Sequence, residues 1–440
     1  MALSYVIGRI VYNVYSHPLR HYPGPKLSAA SSILHARMII RGQLHREIAE
    51  LHAKYGDVVR ITPNELSFVH YDAWKDIFGH RKSGQGEHSK DPIFTAPLAS
   101  TIIGAGRDDH RRLRRILSHG FSAQAMLDQQ PMINGYIDLL IRELHENVRG
   151  SSQALDMVSW YNWTTFDIMG DLAFGEPFGC LENTDYHPWV AAVFGAVKRN
   201  ALLSLTGRFP LIASLLVKMI PRSVLRKAKE HDDLTRVKVD KRLDLGTSRP
   251  DFIQAMLSKG DLSMSKEEIY NNSGLIGAGS EATATALSGT TYLLTTHPAV
   301  LAKLTEEVRT SFPSESDMNI HSVQKLPYML AVLDEALRLH PPSPIANLRR
   351  VQAGGDIICG QHVPDGVIRR TFYLPDSFIP ERWLDEERFA NDKKDMLQPF
   401  SYGPRNCIGK NLAYVEMRIV LARVLWNKDP LNVYLTPRKQ

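Results

Sequence analysis

The sequence predicts a mainly α protein with small β sheets. Three observations carry that prediction. Most segments with a regular apolar pattern repeat at the helical period. The strand-like runs are few and short. One stretch, Ser265 to Thr296, holds a helical pattern long enough to cross a whole domain, about 48 Å at 1.5 Å per residue. Many helices beside a few small sheets make one mixed architecture, helical in bulk.

In chain order, residues 1–15 are apolar and aromatic but interrupted by Arg9 and Asn13. A spanning helix needs about 20 predominantly apolar residues, so this start is expected to be a short remnant of a membrane anchor, lying in the interface. Residues 16–26, with Pro18, Pro23, Gly24 and Pro25, form a rigid Pro-rich hinge. Length alone would allow about three domains. Internal repeats and long low-complexity tracts are absent, however, and 27–440 is read as a single domain. Helical spacing covers Leu44 to Tyr55, Asp109 to Asp128, Ile133 to Val148, Trp160 to Phe174 and a charged segment, Arg222 to Leu243. Strands are expected at Val58 to Ile61, Leu66 to Val69 and Asp356 to Cys359. The aromatics of 160–175 recur at helical spacing and are expected in the core.

Composition bounds the function. The chain has 440 residues, 43% hydrophobic and 23% charged, with a net charge of +6, which is ordinary for a globular protein. The basic residues are scattered. They permit a basic face toward an anionic membrane or an acidic redox partner. Without a basic stripe interleaved with aromatics or a zinc-type spacing, nucleic-acid binding is not indicated. Three cysteines, Cys180, Cys359 and Cys407, are too few and too scattered for a disulfide framework. That usage fits a reducing compartment.

The most informative stretch is Phe400-Ser401-Tyr402-Gly403-Pro404-Arg405-Asn406-Cys407-Ile408-Gly409, followed by an apolar helical pattern. It sets Cys407 at the mouth of a helix, where unpaired N–H groups and the positive end of the dipole stabilise a thiolate. Such a thiolate can be the axial ligand of a haem iron. Gly403 and Gly409 allow a tight turn and close approach to a flat macrocycle. Arg405 supplies a planar cation for a propionate. A buried structural cysteine is the bland alternative.

Ser265 and Glu268 make a capping box at the start of the long helix, and His297-Pro298 ends it. Its middle, Gly277 to Thr283, is rich in small residues, although each mid-helix glycine costs about 1 kcal/mol relative to alanine. Close helix packing explains this, and so does a face cleared for a flat cofactor and oxygen. Further on, Glu335 and Arg338 share a helix face and can pair. Their apolar neighbours argue for burial.

The Cys407 stretch resembles the haem-binding loop of cytochrome P-450 monooxygenases, and the match continues through Ala413 and Glu416. Four further segments follow in the family's order. Ala278, Gly279 and Glu281 match the A-G-x-D/E-T-T pattern of the central helix, where an acid–alcohol pair relays protons for oxygen activation. The first threonine is replaced by Ala282, and Thr283 stands about 100° further round the helix. The resemblance implies that Glu281 delivers protons, with the missing alcohol's part falling to ordered water, a substrate hydroxyl or Thr283 after local distortion, or else left undone in an impaired enzyme. Glu335 and Arg338 resemble the E-x-x-R motif, and Pro380-Glu381-Arg382 the P-E-R segment, preceded by Phe372 and Pro375. Glu335, Arg338 and Arg382 are then structural. By likeness to the W-x-x-x-R helix, Arg114 reaches a haem propionate with His110 in the usual tryptophan's place, and Arg350 matches another propionate position. The 160–175 segment and the hinge resemble fungal members of secondary metabolism, of the isotrichodermin C-15 hydroxylase-like kind.

The resemblance implies haem b as cofactor, bound by Cys407 with Phe400, Gly403, Arg405 and Gly409 around it and Ala278 and Gly279 bordering the oxygen site. It implies electrons from NADPH through a separate cytochrome P-450 reductase, with cytochrome b5 as a second donor. The substrate is a lipophilic small molecule, hydroxylated or epoxidised, and the location is the cytosolic face of the endoplasmic reticulum membrane. The chain departs from the family in length, with internal deletions expected near 366–372 and 426–430. With Ala282, these leave two alternatives: an inactive or mis-spliced relic, and a haem protein that rearranges an already oxidised substrate.

Overall fold

The computed structural model describes residues 2–81, 87–91, 95, 98–149, 155–209, 213, 218, 220–246, 249–257, 264–277, 279–344, 348–351, 356–359 and 376–427. The helices that matter below are α1 (Ala2–Val11), α2 (Leu44–Tyr55), α3 (Arg107–Leu117), α4 (Ala123–Arg149), α5 (Met157–Phe174), α6 (Arg222–Asp244), α7 (Lys266–Gly277), α8 (Ser280–Thr296), α9 (Pro298–Ser311), α10 (Pro327–Leu339) and α11 (Lys410–Trp426). The strands among the described residues form two antiparallel pairs. β1 (Val58–Thr62) pairs with β2 (Glu65–Phe68), and β3 (Ser89–Lys90) with β4 (Arg349–Arg350). The mainly α architecture with small sheets is therefore the one the periodicity predicts.

The centre of the core is α5. It is buried on nearly every side, with Asp167 accepting from Cys180 N and Leu181 N and Asp171 from Tyr136 and Arg249. Trp160, Tyr161, Phe166, Ile168, Leu172 and Phe174 are all buried, and α5 packs on α4, α7 and α8. The Asp156 side chain caps its start by accepting from Val158 N at 3.1 Å. Gly175, at φ 77°, ends it in the left-handed conformation that an L side chain adopts only with strain. The capping box at the next long helix is present in both directions: Ser265 N donates to Glu268 Oε2 at 2.8 Å, and Glu268 N to Ser265 Oγ at 3.2 Å.

Three expectations change. The long central helix is two helices, with α7 ending at Gly277 and α8 starting at Ser280. Gly279 N turns back to Ile276 O at 2.9 Å, and Ser280 Oγ donates to Gly277 O at 3.1 Å. Two poor helix formers in three residues make this the cheapest place to break. The small residues here also serve packing: a Cβ on Gly277 would lie 3.0 Å from Phe174 and from Trp189. The helix expected over Asp109 to Asp128 ends at Leu117, and α4 begins after the turn 118–122 and runs on through Pro131. Asp356 to Cys359 form no strand; Cys359 has φ 58° and donates its N–H to Asp76 Oδ2 at 2.6 Å. The region around 366–372, including Phe372, lies outside the described residues, as does Pro375, and so do residues 428–430 of the second expected deletion.

Candidate active site

The loop before α11 is shaped by two constraints. Gly403 has φ 73°, and a Cβ there would sit 1.9 Å from the Phe78 carbonyl oxygen, so only glycine fits. Cys407 N donates to Phe400 O at 2.8 Å, folding the loop back on itself. The sulfur then lies three residues ahead of α11, with the Gly409 N–H directed at it. Arg114 of α3 fastens the loop, donating to Asn406 O at 2.5 Å and to Asn406 Oδ1 at 2.7 Å.

Cys407 carries exposed surface, yet loss of solvation pushes its thiol above the ordinary range, against the lowering effects of the Gly409 N–H, Arg114 and Lys410. The thiol thus keeps contact with solvent while protein crowds the rest of it. The other two cysteines are also free, and burial raises both to about 12.

Around the loop gathers an excess of positive charge. Arg405 pairs with Glu87 and donates to Ala105 O at 2.9 Å. His110 of α3 is buried, and desolvation together with Arg405, Arg114, Lys90 and Arg349 pushes it down to about 3. Lys90 donates to Ile103 O at 2.6 Å and is lowered to about 7 by desolvation, then by Arg349 and Arg405. Arg349 lies over the Phe78 ring at 5.0 Å and is lowered to about 10 by burial first and Arg405 next. Its buried Nε and Nη1 have no partner. Against these cations Glu87 is the acidic group that partly offsets Lys90 and Arg349.

Arg350 is displaced from the role expected of it. It is exposed and approaches Asp91 at 3.7 Å, while Arg349 takes the inward place. Adjacent strand residues face opposite sides, so one of the pair must point away. Lys90 enters because β3 pairs with β4 in the register Lys90↔Arg349. Sequence reasoning missed Lys90, Glu87 and Arg349. A two-residue strand leaves no alternation by which to find them.

On the central helix, Glu281 is partly exposed and Ala282 exposed, whereas Thr283 is buried, on a helix that packs against α11. Gly279 lies in the break, where a Cβ would meet Ile276 O at 3.0 Å. Ala278 lies outside the described residues.

Behind the loop, Glu335 gathers a buried cluster. Arg338 donates to it through Nε at 2.8 Å and Nη2 at 2.9 Å, Trp383 Nε1 at 2.9 Å and Ile379 N at 3.0 Å. Arg382 Nε approaches at 3.4 Å and its Nη1 pairs with Asp392. A cleft of about 470 Å3 opens on the outer side of the loop, between Phe400, Tyr402 and Asn406 and the residues His80, Lys394 and Lys410. Cys407 is not on its wall.

The donor set fits a haem. A partly exposed sulfur, with a cation cluster beside its loop and two buried guanidinium nitrogens of Arg349 lacking acceptors, suits a planar iron group bearing two carboxylates. Comparison with known proteins agrees. The profile of the family described as cytochrome P-450 matches residues 23–427. The chain is 46% identical to trichothecene C-15 hydroxylase of Fusarium sporotrichioides, covering 99% of this chain and 96% of the relative. It is 44% identical to averantin hydroxylase of Dothistroma septosporum, covering 97% and 83%. It is 44% identical to the monooxygenase astJ of Aspergillus oryzae, covering 97% and 89%. The first of these alignments spans 475 positions for a chain of 440 residues, so that relative has residues opposite gaps in this chain.

Proposed function

The chain belongs to the cytochrome P-450 family, and we propose that Cys407 is the residue that would hold the haem iron in a monooxygenase that hydroxylates a lipophilic small molecule of fungal secondary metabolism. Its cofactor is haem b, and its electrons come from NADPH through a separate reductase. When bound, the haem supplies the one-electron and dioxygen chemistry. The chain supplies placement, charge and protons. Cys407 Sγ gives up its proton on ligation, as a coordinating thiol does. The Gly409 N–H and the cations Arg114 and Lys410 favour the resulting anion. Arg349, Arg405, Arg114 and Lys90 would hold the two carboxylates, with His110 among them. Gly279 keeps the oxygen side free of a side chain. Glu281 brings protons there from solvent, supported by its partial exposure next to Ala282. Glu335, Arg338 and Arg382 lock the fold behind the loop. The reductase docks over the cleft edged by Lys394 and Lys410, where a basic rim meets an acidic partner.

The names of the relatives favour hydroxylation over epoxidation. For the endoplasmic reticulum membrane, support comes from α1, whose Tyr5, Ile7 and Val11 are exposed. Among the described residues no helix is long and apolar enough to cross a membrane, so α1 is assigned to the interface.

The observation that carries the reading is the exposed yet crowded Cys407 thiol with Arg114 and Lys410 acting on it and the Arg405, Arg349 and Lys90 cations gathered beside its loop. Its test is spectroscopic. Protein expressed with porphyrin precursor is expected to be red and to give a reduced carbon-monoxide complex absorbing at the thiolate-ligated position. Cys407→Ser is expected to lose that band. A colourless wild type, or a variant with an unchanged band, removes Cys407 from the role.

A further inference from the structure

Glu87 enters the cation cluster from the segment just before β3, three residues ahead of Lys90. Its carboxylate pairs with Arg405 Nε, while Arg405 Nη1 donates to Ala105 O at 2.9 Å. The guanidinium is thus gripped on two sides, and its Nη2 takes part in neither bond. The Arg405 side chain is 5% exposed and that of Glu87 21%, so dissolved ions screen the pair poorly. Glu87, Arg349 and Arg405 line one small cleft together with Phe78 and Gly79. Neighbouring acids serve other partners. Asp356 pairs with Arg81 and lies 3.3 Å from His88 Nε2, and Asp91 approaches Arg350 at 3.7 Å. Glu87 is the carboxylate set among the inward cations: it holds Arg405 and favours the charged forms of Arg349 and Lys90.

A guanidinium already anchored has less freedom to lose when it takes up a carboxylate, because its planar fork is fixed beforehand. A fixed negative charge near a redox centre opposes the arrival of an electron, and partial burial keeps that repulsion strong. We propose that Glu87 is a positioning residue of the haem site, holding Arg405 through Nε so that Nη2 is left for a haem carboxylate, and that its negative charge makes the iron harder to reduce. Arg405, Arg349, Arg114 and Lys90 carry more positive charge than two carboxylates cancel, and Glu87 removes part of the surplus. This inference rests on the haem-binding reading of Cys407. It adds a residue to that site from a segment far from the cysteine loop in the chain.

The test uses the full-length haem-loaded protein, titrated anaerobically with dithionite while its spectrum reports oxidised and reduced iron. Dithionite supplies one electron per iron, and the reduction potential is read. Glu87→Gln keeps an acceptor for Arg405 Nε and removes the charge. It should shift the potential positive, raising the equilibrium constant for electron uptake at least roughly threefold. Glu87→Asp, which keeps the charge, should stay closer to wild type than to Glu87→Gln. Glu87→Leu should match the shift of Glu87→Gln and also release haem to apomyoglobin roughly 2–10-fold faster than Glu87→Gln, the worth of one hydrogen bond. A potential in Glu87→Gln that is unchanged or moves negative overturns the charge role, and equal haem release by Glu87→Gln and Glu87→Leu overturns the positioning role. Melting curves give a readout that does not involve the iron. Glu87→Gln should lower the melting temperature further without haem than with it, because the haem carboxylates take over the balancing of the cations. Equal losses in the two forms also overturn the charge role. A colourless wild type defeats the Cys407 reading and this inference with it. A red protein with its thiolate-type carbon-monoxide band and a potential unmoved by Glu87→Gln defeats this inference alone.

Discussion

Lys90 shows how one side chain reports on a missing charge. In the protein alone its ammonium is desolvated by burial and then crowded by Arg349 and Arg405, and its affinity for the proton falls to about 7. The unfolded lysine holds its proton to 10.5. The native state therefore binds fewer protons between those values, and stability gains from Lys90 as pH rises across that window. Two haem carboxylates would reverse the balance by favouring the charged ammonium. Opposite effects on the two forms follow for Lys90→Met. The haem-free protein should melt higher near neutral pH, because a repelled cation is gone. Haem should be held roughly 10–100-fold less tightly, the loss of one charge-assisted contact worth about 1.5–3 kcal/mol. Titrating haem into the haem-free variant, with melting curves alongside, checks both signs. Arg349→Gln should weaken haem binding by a similar factor and Arg350→Gln should not, which the same titration measures. The sequence places two arginines side by side and cannot say which turns inward. That is decided by the pairing of Lys90 with Arg349, a contact between segments far apart in the chain.

At the scale of elements, the Glu335 cluster ties α10 to the segment carrying Ile379, Arg382 and Trp383. Glu335 and Arg382 are fully buried. A buried charge stripped of its partners stays desolvated, a loss of about 3–5 kcal/mol. Arg382→Met leaves Glu335 bonded to Arg338 and Trp383 and takes a partner from Asp392, so it should cost less than that, whereas Arg338→Met with Arg382→Met, which takes both cations from Glu335, should approach about 3–5 kcal/mol in denaturant titration. A double variant no worse than the single would show that the cluster acts through shape instead of charge. This pairing is legible in sequence because a three-residue spacing on a helix fixes which side chains meet. The break between α7 and α8 is less legible. Gly277 and Gly279 signal a weak point, yet the periodicity runs through it, and the turn is completed by local bonds such as Gly279 N to Ile276 O. The burial of Thr283 beside an exposed Ala282 is not legible at all. It needs the rotation of α8 relative to helices packed on it from distant parts of the chain.

Across the whole molecule, polarity is divided between a charged interior recess and an apolar exterior patch at one end. On α1, Tyr5, Val6, Ile7, Ile10 and Val11 are exposed, and Tyr12 and Tyr15 continue the run. α1 packs on the segment Lys26–Ala30, which in turn packs on Ile33–Ile40, and these add exposed Leu27, Ile33 and Ile40. Water is a poor solvent for so many adjoining apolar side chains, and a bilayer interface is a better one. Each would contribute up to about 1.5–3 kcal/mol if fully buried; only the outward part of each is available. Deleting residues 2–11 should thus weaken binding to phosphatidylcholine vesicles by at least roughly tenfold, read by flotation. The deletion spares Asn13, which donates to Ala30 O at 3.0 Å, and leaves β1, which packs on Lys26–Ala30, in place. The melting temperature and the carbon-monoxide spectrum should therefore stay unchanged. Added anionic lipid should restore part of the binding through the net charge of +6 and lose that part again in high salt. Unaltered flotation after the deletion would move the membrane contact off α1, and a lowered melting temperature would make α1 part of the folded core.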